Sequence, residues 1–487
     1  MSQTLWVFVV GLVLAFFSFT FSTTSAAIVE TSFHVKNLNV NRLCQNQVIV
    51  AVNGSLPGPT LTIKEGDTLV VHVFNKSPYN LTIHWHGVFQ TLTPWADGPE
   101  FITQCPIRPG GNYTYRFNLV GQVGTLWWHA HSQWLRATVY GALVIHPRDG
   151  QKYPFVKPYG EDTILLGEWW NANPIDVENA ALVNGTSPVN SDAYTINGWP
   201  GDRFNSCRPS KIYRLDVVPG KTYLLRIINA ALNAQFFFKV ANHNLTVVGA
   251  DAAYTNPFPT DVVVIGPGQT TDVLLTANQS PGLYYMAAHP YASAAGVSFN
   301  ANTTTAILAY QNAAQTTPIL PVLPDFNDTP TAFTFSSNLT ALVSSPFWSP
   351  VPKKVDEDMF VTIGLGLSAC GSNQTCGGIT STQKAFLSGV RVKFFISKTP
   401  ITSVRNHHHR LVLCRNHNHR LVLCRNHHHG LLHRLPETMT DATSSAGNHH
   451  LSRHCRACFW RGLDPVYPPP NLVFNPPTAR ELSFLGF

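Results

Sequence analysis

The chain repeats itself on the scale of whole domains, and this limits its fold more than any other feature. Gly66-Asp-Thr-Leu-Val-Val-His-Val-Phe-Asn75 returns as Gly220-Lys-Thr-Tyr-Leu-Leu-Arg-Ile-Ile-Asn229, an offset of 154 residues. Pro109-Gly110 ahead of Tyr113-Thr-Tyr-Arg-Phe117 returns as Pro267-Gly268 ahead of Thr271-Asp-Val-Leu-Leu275, an offset of 158. Leu126-Trp-Trp-His-Ala-His131 returns as Leu283-Tyr-Tyr-Met-Ala-Ala288, an offset of 157. Offsets this similar over three motifs imply a duplicated domain rather than a short repeat. Each copy is built of short apolar–polar alternations, such as Phe33-His-Val-Lys-Asn-Leu-Asn-Val40 and Val48-Ile-Val-Ala-Val52. Turns at Asn53-Gly54, Pro57-Gly58 and Pro109-Gly110 separate them. That pattern predicts an all-β chain of tandem sandwiches.

The first copy carries His84-Trp85-His86 and His129-Ala130-His131. A strand sends alternate side chains to one face, so each pair of histidines points one way and the residue between them the other. If the two strands lie side by side, four imidazoles converge on one spot, and neutral imidazole is a preferred ligand of copper, zinc, iron and nickel. One His-x-His reads as easily as a half-exposed strand with incidental histidines. Two of them, both flanked by tryptophan and glycine, point to a metal site. In the second copy Met286 and Ala288 replace His129 and His131, and the same count from the asparagine places Phe238 and Val240 at His84 and His86. The second copy is therefore expected to be structural.

A length of 487 residues allows roughly two to four domains. The formal charge of +7 is misleading, because residues 401–487 hold ten arginines, no lysine and four acids, leaving 23 bases against 22 acids before them. A nearly neutral body gives no reason to expect a nucleic-acid partner. Leu5 to Phe21 is an apolar run ending in small residues, which predicts a signal peptide over 1–27; it lacks a positive start, so an uncleaved anchor is the alternative. Eleven Asn-x-Ser/Thr sequons, at Asn53, Asn75, Asn80, Asn112, Asn184, Asn244, Asn278, Asn302, Asn327, Asn338 and Asn373, fit a secreted glycoprotein with no membrane attachment after cleavage. Nine cysteines leave at least one outside an intrachain pair.

Expected boundaries are 28–150 for the first sandwich and 158–312 for the second. Residues 313–400 read as a linker and the start of an incomplete third, whose β segment begins at Ala332-Phe-Thr-Phe335 and continues through Phe360-Val-Thr-Ile-Gly364. Residues 401–487 are a His/Arg/Cys tail with the repeat Arg405-Asn-His-His-His-Arg-Leu-Val-Leu-Cys414, expected to be unstructured. The sequons and lysines stop where this tail begins, a pattern that also fits translation in the wrong frame.

These residues resemble the plant laccases of the multicopper oxidase family over roughly 28–390. The resemblance rests on His84-Trp-His-Gly-Val-Phe-Gln90, Pro94-Trp-Ala-Asp-Gly-Pro-Glu100, Thr103-Gln-Cys-Pro-Ile107 and Gly124-Thr-Leu-Trp-Trp-His-Ala-His-Ser132. It extends through Trp134-Leu-Arg-Ala-Thr-Val-Tyr-Gly141, Gly167-Glu-Trp-Trp170, Thr195-Ile-Asn-Gly-Trp-Pro-Gly201 and Gly249-Ala-Asp-Ala-Ala-Tyr254. The resemblance implies three cupredoxin domains and four coppers, with benzenediols, lignin precursors or lignin-derived phenols oxidised while dioxygen is reduced to water. It implies that His84 is a type 2 copper ligand and that His86, His129 and His131 are type 3 ligands. Asp97 would assist proton delivery to reduced oxygen, and Cys44 would pair with Cys207. Phenols and dioxygen are the implied partners, and the implied setting is a secreted monomer in the apoplast.

The family's third domain also carries His-Pro-x-His-Leu-His and His-Cys-His-x-x-x-His segments. This sequence has neither, and His454-Cys455-Arg456 is the nearest string. The type 1 site and half of the trinuclear ligands are therefore missing, so at most a partial copper cluster and little turnover are expected of the chain as written. A non-catalytic secreted scaffold or partial copper-binding protein is the alternative.

Overall fold

The computed structural model describes residues 26–184, 188–204, 207, 211–314, 317–351 and 354, together with the backbone of 358–369, 385–397, 411–415 and 421–425. All but the last two residues of the expected signal peptide, and most of the tail, lie outside the described residues. The chain is mainly β, with two α-helices among the described residues.

The first sandwich is made of β1 (Ile28–Arg42), β2 (Gln45–Val52), β3 (Leu61–Lys64), β4 (Thr68–Asn75), β5 (Ile83–His86), β6 (Asn112–Asn118), β7 (Gly124–Ala130) and β8 (Tyr140–His146). One sheet runs β2-β1-β4-β6 and the other β3-β8-β7-β5. Side-chain alternation sorts the faces: on β6, Tyr115 and Phe117 are buried while Asn112, Thr114, Arg116 and Asn118 are exposed. Strand β7 is buried at every residue because both of its faces are covered. Leu126, Trp128 and Ala130 enter the sandwich core, where the Trp128 and Phe33 ring centroids lie 4.4 Å apart. Trp127 points the other way, onto Leu165, Ile228 and Ala230 of the second sandwich.

The second sandwich comprises β9 (Gly160–Trp169), α1 (Pro174–Asn184), β10 (Ala193–Ile196), β11 (Arg214–Val217), β12 (Thr222–Asn229) and β13 (Gln235–Val240). It continues through β14 (Leu245–Ala250), β15 (Ala253–Thr260), β16 (Val263–Ile265), β17 (Thr270–Thr276), β18 (Leu283–Tyr291) and β19 (Thr304–Tyr310). Its sheets run β10-β9-β12-β17-β14-β15 and β11-β19-β18-β13-β16 around a core that includes Ile227, Phe236, Phe238, Val273 and Met286. The duplication reaches single atoms. Asn75 Nδ2 donates to the Tyr79 and Ile107 carbonyls, both at 2.8 Å, and its Oδ1 accepts from Ser77 N. Asn229 repeats this with Ala234 O at 2.8 Å, Ile265 O at 2.9 Å and Ala231 N.

The register corrects one residue-by-residue equivalence. Counting along the sequence matches Met286 with His129, but Met286 and its partner Val240 face the second core, whereas the paired His84 and His129 face away from the first. The pair with the facing of His84 and His129 is Lys239–Ala287, next to the core-facing Val240–Met286, so a count from the asparagine does not carry the histidine positions onto Phe238 and Met286. Neither Lys239 nor Ala287 is a histidine, so the loss of the site from this copy stands.

A second correction concerns Ala332-Phe-Thr-Phe335, expected to start a strand. It lies in a helix, α2 (Thr329–Asn338). Asp328 caps it by accepting from Thr331 N at 3.0 Å, Pro330 occupies the first turn, and the buried residues are Ala332 and Phe335, three apart. The helical period overrides the apparent alternation. Beyond it, β20 (Asp358–Ala369) pairs antiparallel with β21 (Ala385–Ser397). In the tail, β22 (Leu411–Arg415) pairs with β23 (Leu421–Arg425), which departs from the expected lack of structure at these ten residues. No helix among the described residues is long and apolar enough to cross a membrane.

A buried polar ring joins the two sandwiches. Arg226, 1% exposed, donates to Glu161 Oε2 at 2.8 Å, to Tyr153 Oη at 3.2 Å and to Thr125 Oγ1 at 2.9 Å. Thr125 donates to Asp272, and His146 bridges Tyr153 at 2.9 Å and Glu161 at 3.1 Å. Burial alone would raise Glu161, but the hydrogen bond from His146 and the Arg226 charge outweigh it and hold the carboxyl at about 2. A depressed carboxyl pKa stabilises the fold above the ordinary value, and that stability is lost as pH falls towards the folded value. Between about pH 4.5 and 2, the unfolding midpoint of the protein should therefore fall more steeply than that of Glu161→Gln. Parallel curves would remove Glu161 from the acid response.

The Cys44–Cys207 disulfide ties the first sandwich to the second across 163 residues. Cross-linking so long a loop restricts the unfolded chain, an effect on the order of 2–5 kcal/mol. Cys44→Ser with Cys207→Ser should lower the denaturant midpoint accordingly.

Candidate metal centre

Strand β5 sends Ile83 and Trp85 into the first core, so His84 and His86 emerge on its other face. Strand β7 does the same with Trp128 and His129. Antiparallel pairing of His84 with His129 and of His86 with Trp127 brings the two sets together. One ring nitrogen from each of His84, His86 and His129 lies within 4.8 Å of the others. His86 Nδ1 and His129 Nε2 are 3.2 Å apart. Two imidazoles sharing an ion at about 2.0–2.1 Å would place their nitrogens roughly 3.3 Å apart at a tetrahedral angle.

His131 follows the end of β7 and stands slightly apart. Its ring centroid is 5.5 Å from that of His84 and 6.2 Å from that of His129, so it falls outside the three-residue group. The expected convergence of four rings on one point is thus three around one point with the fourth beside His84. Carbonyl contacts fix two tautomers, since a carbonyl oxygen can only accept. His84 Nδ1–H donates to Asp97 O at 2.7 Å and His129 Nδ1–H to Ala130 O at 2.8 Å, which leaves the lone pair on each Nε2. Burial, with the neighbouring rings and Arg136 adding to it, pushes His129 well below its usual pKa. Burial lowers His131 as well. Both are held in the neutral form that binds metal.

Asp97 is brought in by a short turn over Pro94–Ala96, and its Oδ1 lies 3.5 Å from His84 Nδ1. The turn passes so close to β5 that a Cβ on Gly98, at φ +96°, would lie 1.9 Å from Ile83 O. Only glycine allows that approach, which a reading of Ala-Asp-Gly as a generic loop does not convey. Leu92, Trp95, Phe101 and Ile102 are exposed around this turn, leaving an apolar surface beside Asp97.

Three features escape sequence reasoning. Glu100 accepts from Ser132 Oγ at 2.8 Å, Ser132 Oγ accepts from Thr82 N at 3.1 Å, and Thr82 O accepts from His131 N at 3.0 Å. This clasp closes the end of the His-x-His strand pair. Burial pushes Glu100 up, against the hydrogen bond from Ser132. Gly268 of the second sandwich has no room for a Cβ, which would stand 2.8 Å from His86 Nε2, and its carbonyl accepts from Trp127 Nε1 at 3.1 Å. Arg136 is anchored on Leu232 O at 3.0 Å. The recurrence of Pro109-Gly110 as Pro267-Gly268 was the one available signal for Gly268.

Two family models, both described as multicopper oxidase, match residues 34–150 and 160–313. Laccase-7 of Arabidopsis thaliana is 62% identical over 360 residues, covering 73% of this chain and 63% of the relative. Laccase-5 of Arabidopsis thaliana is 50% identical over 394 residues, covering 77% of this chain and 67% of the relative. The crystal structure of the laccase from Botrytis aclada superposes with a TM-score of 0.53 at 28% identity, covering 62% of this chain and 56% of that one. The chain spans slightly less than two thirds of the length of Laccase-7.

Proposed function

The chain belongs to the plant laccases of the multicopper oxidase family, and from that membership we propose that the whole protein oxidises phenols while reducing dioxygen to water. The observation that carries this reading is the His84–His86–His129 group, buried at His84 and His129, with His131 beside it, on the face of the first sandwich turned towards the second. Ring nitrogens at ligating separation, two with tautomers fixed by carbonyls, fit copper. In this reading His84 holds a type 2 copper and His86, His129 and His131 hold type 3 coppers. Bound copper supplies one-electron oxidation of phenols and four-electron reduction of dioxygen. The Asp97 and Ala130 carbonyls orient His84 and His129, Gly98 lets the turn close on β5, and Asp97 passes protons towards the oxygen being reduced. Residues 28–150 form the ligand-bearing domain, 158–312 a structural one and 313–400 the start of a third. Substrates are benzenediols, lignin precursors or lignin-derived phenols, and the protein is a secreted monomer of the apoplast.

The test is copper content and oxygen uptake of the native secreted protein with a benzenediol. Four coppers per chain, with one dioxygen consumed per four one-electron oxidations, is the expected result for a whole laccase. A second reading, a secreted copper-binding scaffold, is favoured by the lack of both third-domain histidine segments in this sequence. Fewer coppers and no oxygen uptake, with peptides from the Arg405–Cys414 repeat in the mature protein, would select the scaffold.

A further inference from the structure

The two copies carry the same three-residue polar constellation on corresponding sheets, with opposite exposure. In the second sandwich it is Glu161, Arg226 and Asp272, packed against Thr125 and His146 of the first, with Arg226 and Asp272 buried. In the first sandwich it is Glu30, His72 and Thr114. His72 Nε2 lies 2.6 Å from Glu30 Oε1 and His72 Nδ1 lies 2.9 Å from Thr114 Oγ1. The strand registers confirm the equivalence, since Glu30 pairs with Val70 as Glu161 pairs with Leu224. The Glu30 and His72 side chains are 63% and 32% exposed, against 34% and 1% for their counterparts Glu161 and Arg226. One face seats a neighbouring sandwich; its twin lies open.

Asn112 stands on that open face, two residues before Thr114 on β6, and both are exposed. Its counterpart at the 158-residue offset is Thr270, which is buried and donates to the Thr125 carbonyl at 2.6 Å. Where the second copy places a hydroxyl that seats the first sandwich, the first copy places the asparagine of Asn112-Tyr-Thr114. Asn75, by contrast, begins a sequon that its surroundings forbid. It is 1% exposed, both Nδ2 hydrogens are donated to carbonyls, and Asn229 makes the same bonds with no sequon around it.

We propose that Asn112 carries an N-linked glycan, which marks the outer face of the β2-β1-β4-β6 sheet as a solvent face, and that Asn75 is left unmodified. In the transfer, Asn112 Nδ2 loses one proton and bonds to the anomeric carbon of a lipid-pyrophosphate-linked oligosaccharide, with the lipid pyrophosphate leaving. Sugar at Nδ2 of Asn75 would remove a donor from a buried carbonyl and has no room in the core. The inference rests on passage through the secretory pathway, part of the function proposed above.

The experiment is digestion of the protein purified from its native tissue, with no selection for the secreted fraction, with a peptide-N-glycosidase in 18O water, followed by peptide mapping. Occupied asparagines are converted to 18O-labelled aspartates. Label at Asn112 and an unlabelled Asn75 is the expected result, and Asn112→Gln should then lower the mass of the protein by one glycan. Label at other sequons with none at Asn112 overturns the inference while leaving secretion intact. Label at Asn75 overturns it equally, and no label anywhere overturns the secretory reading along with it.

Discussion

Arg226→Ala is expected to destabilise the protein by about 3–5 kcal/mol, the usual cost of stripping one partner from a buried ion pair. Arg226 is fully enclosed between the sandwiches and serves Glu161, Tyr153, Thr125 and Asp272 at once. Its loss strands the Asp272 carboxyl, which burial already pushes up and which the Arg226 charge and the Thr125 hydroxyl hold back. Replacing Arg226, Glu161 and Asp272 together by apolar residues of similar volume should cost less than the single change, because no uncompensated charge remains. Urea unfolding of the three proteins decides it. A loss below about 1 kcal/mol for Arg226→Ala would show the ring to be peripheral to stability.

The second large effect concerns copper. Removing His86 and His129 together takes away both nitrogens of the 3.2 Å pair. Affinity for Cu(II) should fall by more than the roughly 10–100-fold typical of losing an outer-shell partner. Met286→His in the second sandwich should create no new site, because Val240 faces it across the strands. Competition with a chelator, read by metal analysis, separates the outcomes. Unchanged copper binding in His86→Ala/His129→Ala would place the ion elsewhere, with the histidine-rich tail as the first place to look. Removing His86 and His129 leaves the first core, into which Trp85 and Trp128 point, untouched, so that fold should survive; Met286 lies in the second core, so Met286→His is compared at equal folded fraction.

The duplication, the all-β fold and the two His-x-His strands were legible in the sequence because each depends on period-two patterning, which is local. The equivalence of Phe238 with His84 was not, since counting assumes equal loops, and Phe238 faces the second core whereas His84 faces away from the first. Likewise Ala332-Phe-Thr-Phe335 alternates on paper, yet an aspartate cap and a first-turn proline made it helix α2.

What the sequence determined by itself is which side chains share a face: His84 with His86 and His129 with His131, opposite Trp85 and Trp128. Tertiary structure alone decided that His84 would pair with His129, that Gly98 would carry Asp97 onto His84 and that Gly268 would bring the second sandwich against His86. The reason is physical. Facing follows from backbone geometry over a few residues, whereas these contacts join positions 13 to 182 residues apart, and the packing of two sheets and two sandwiches had to bring them together.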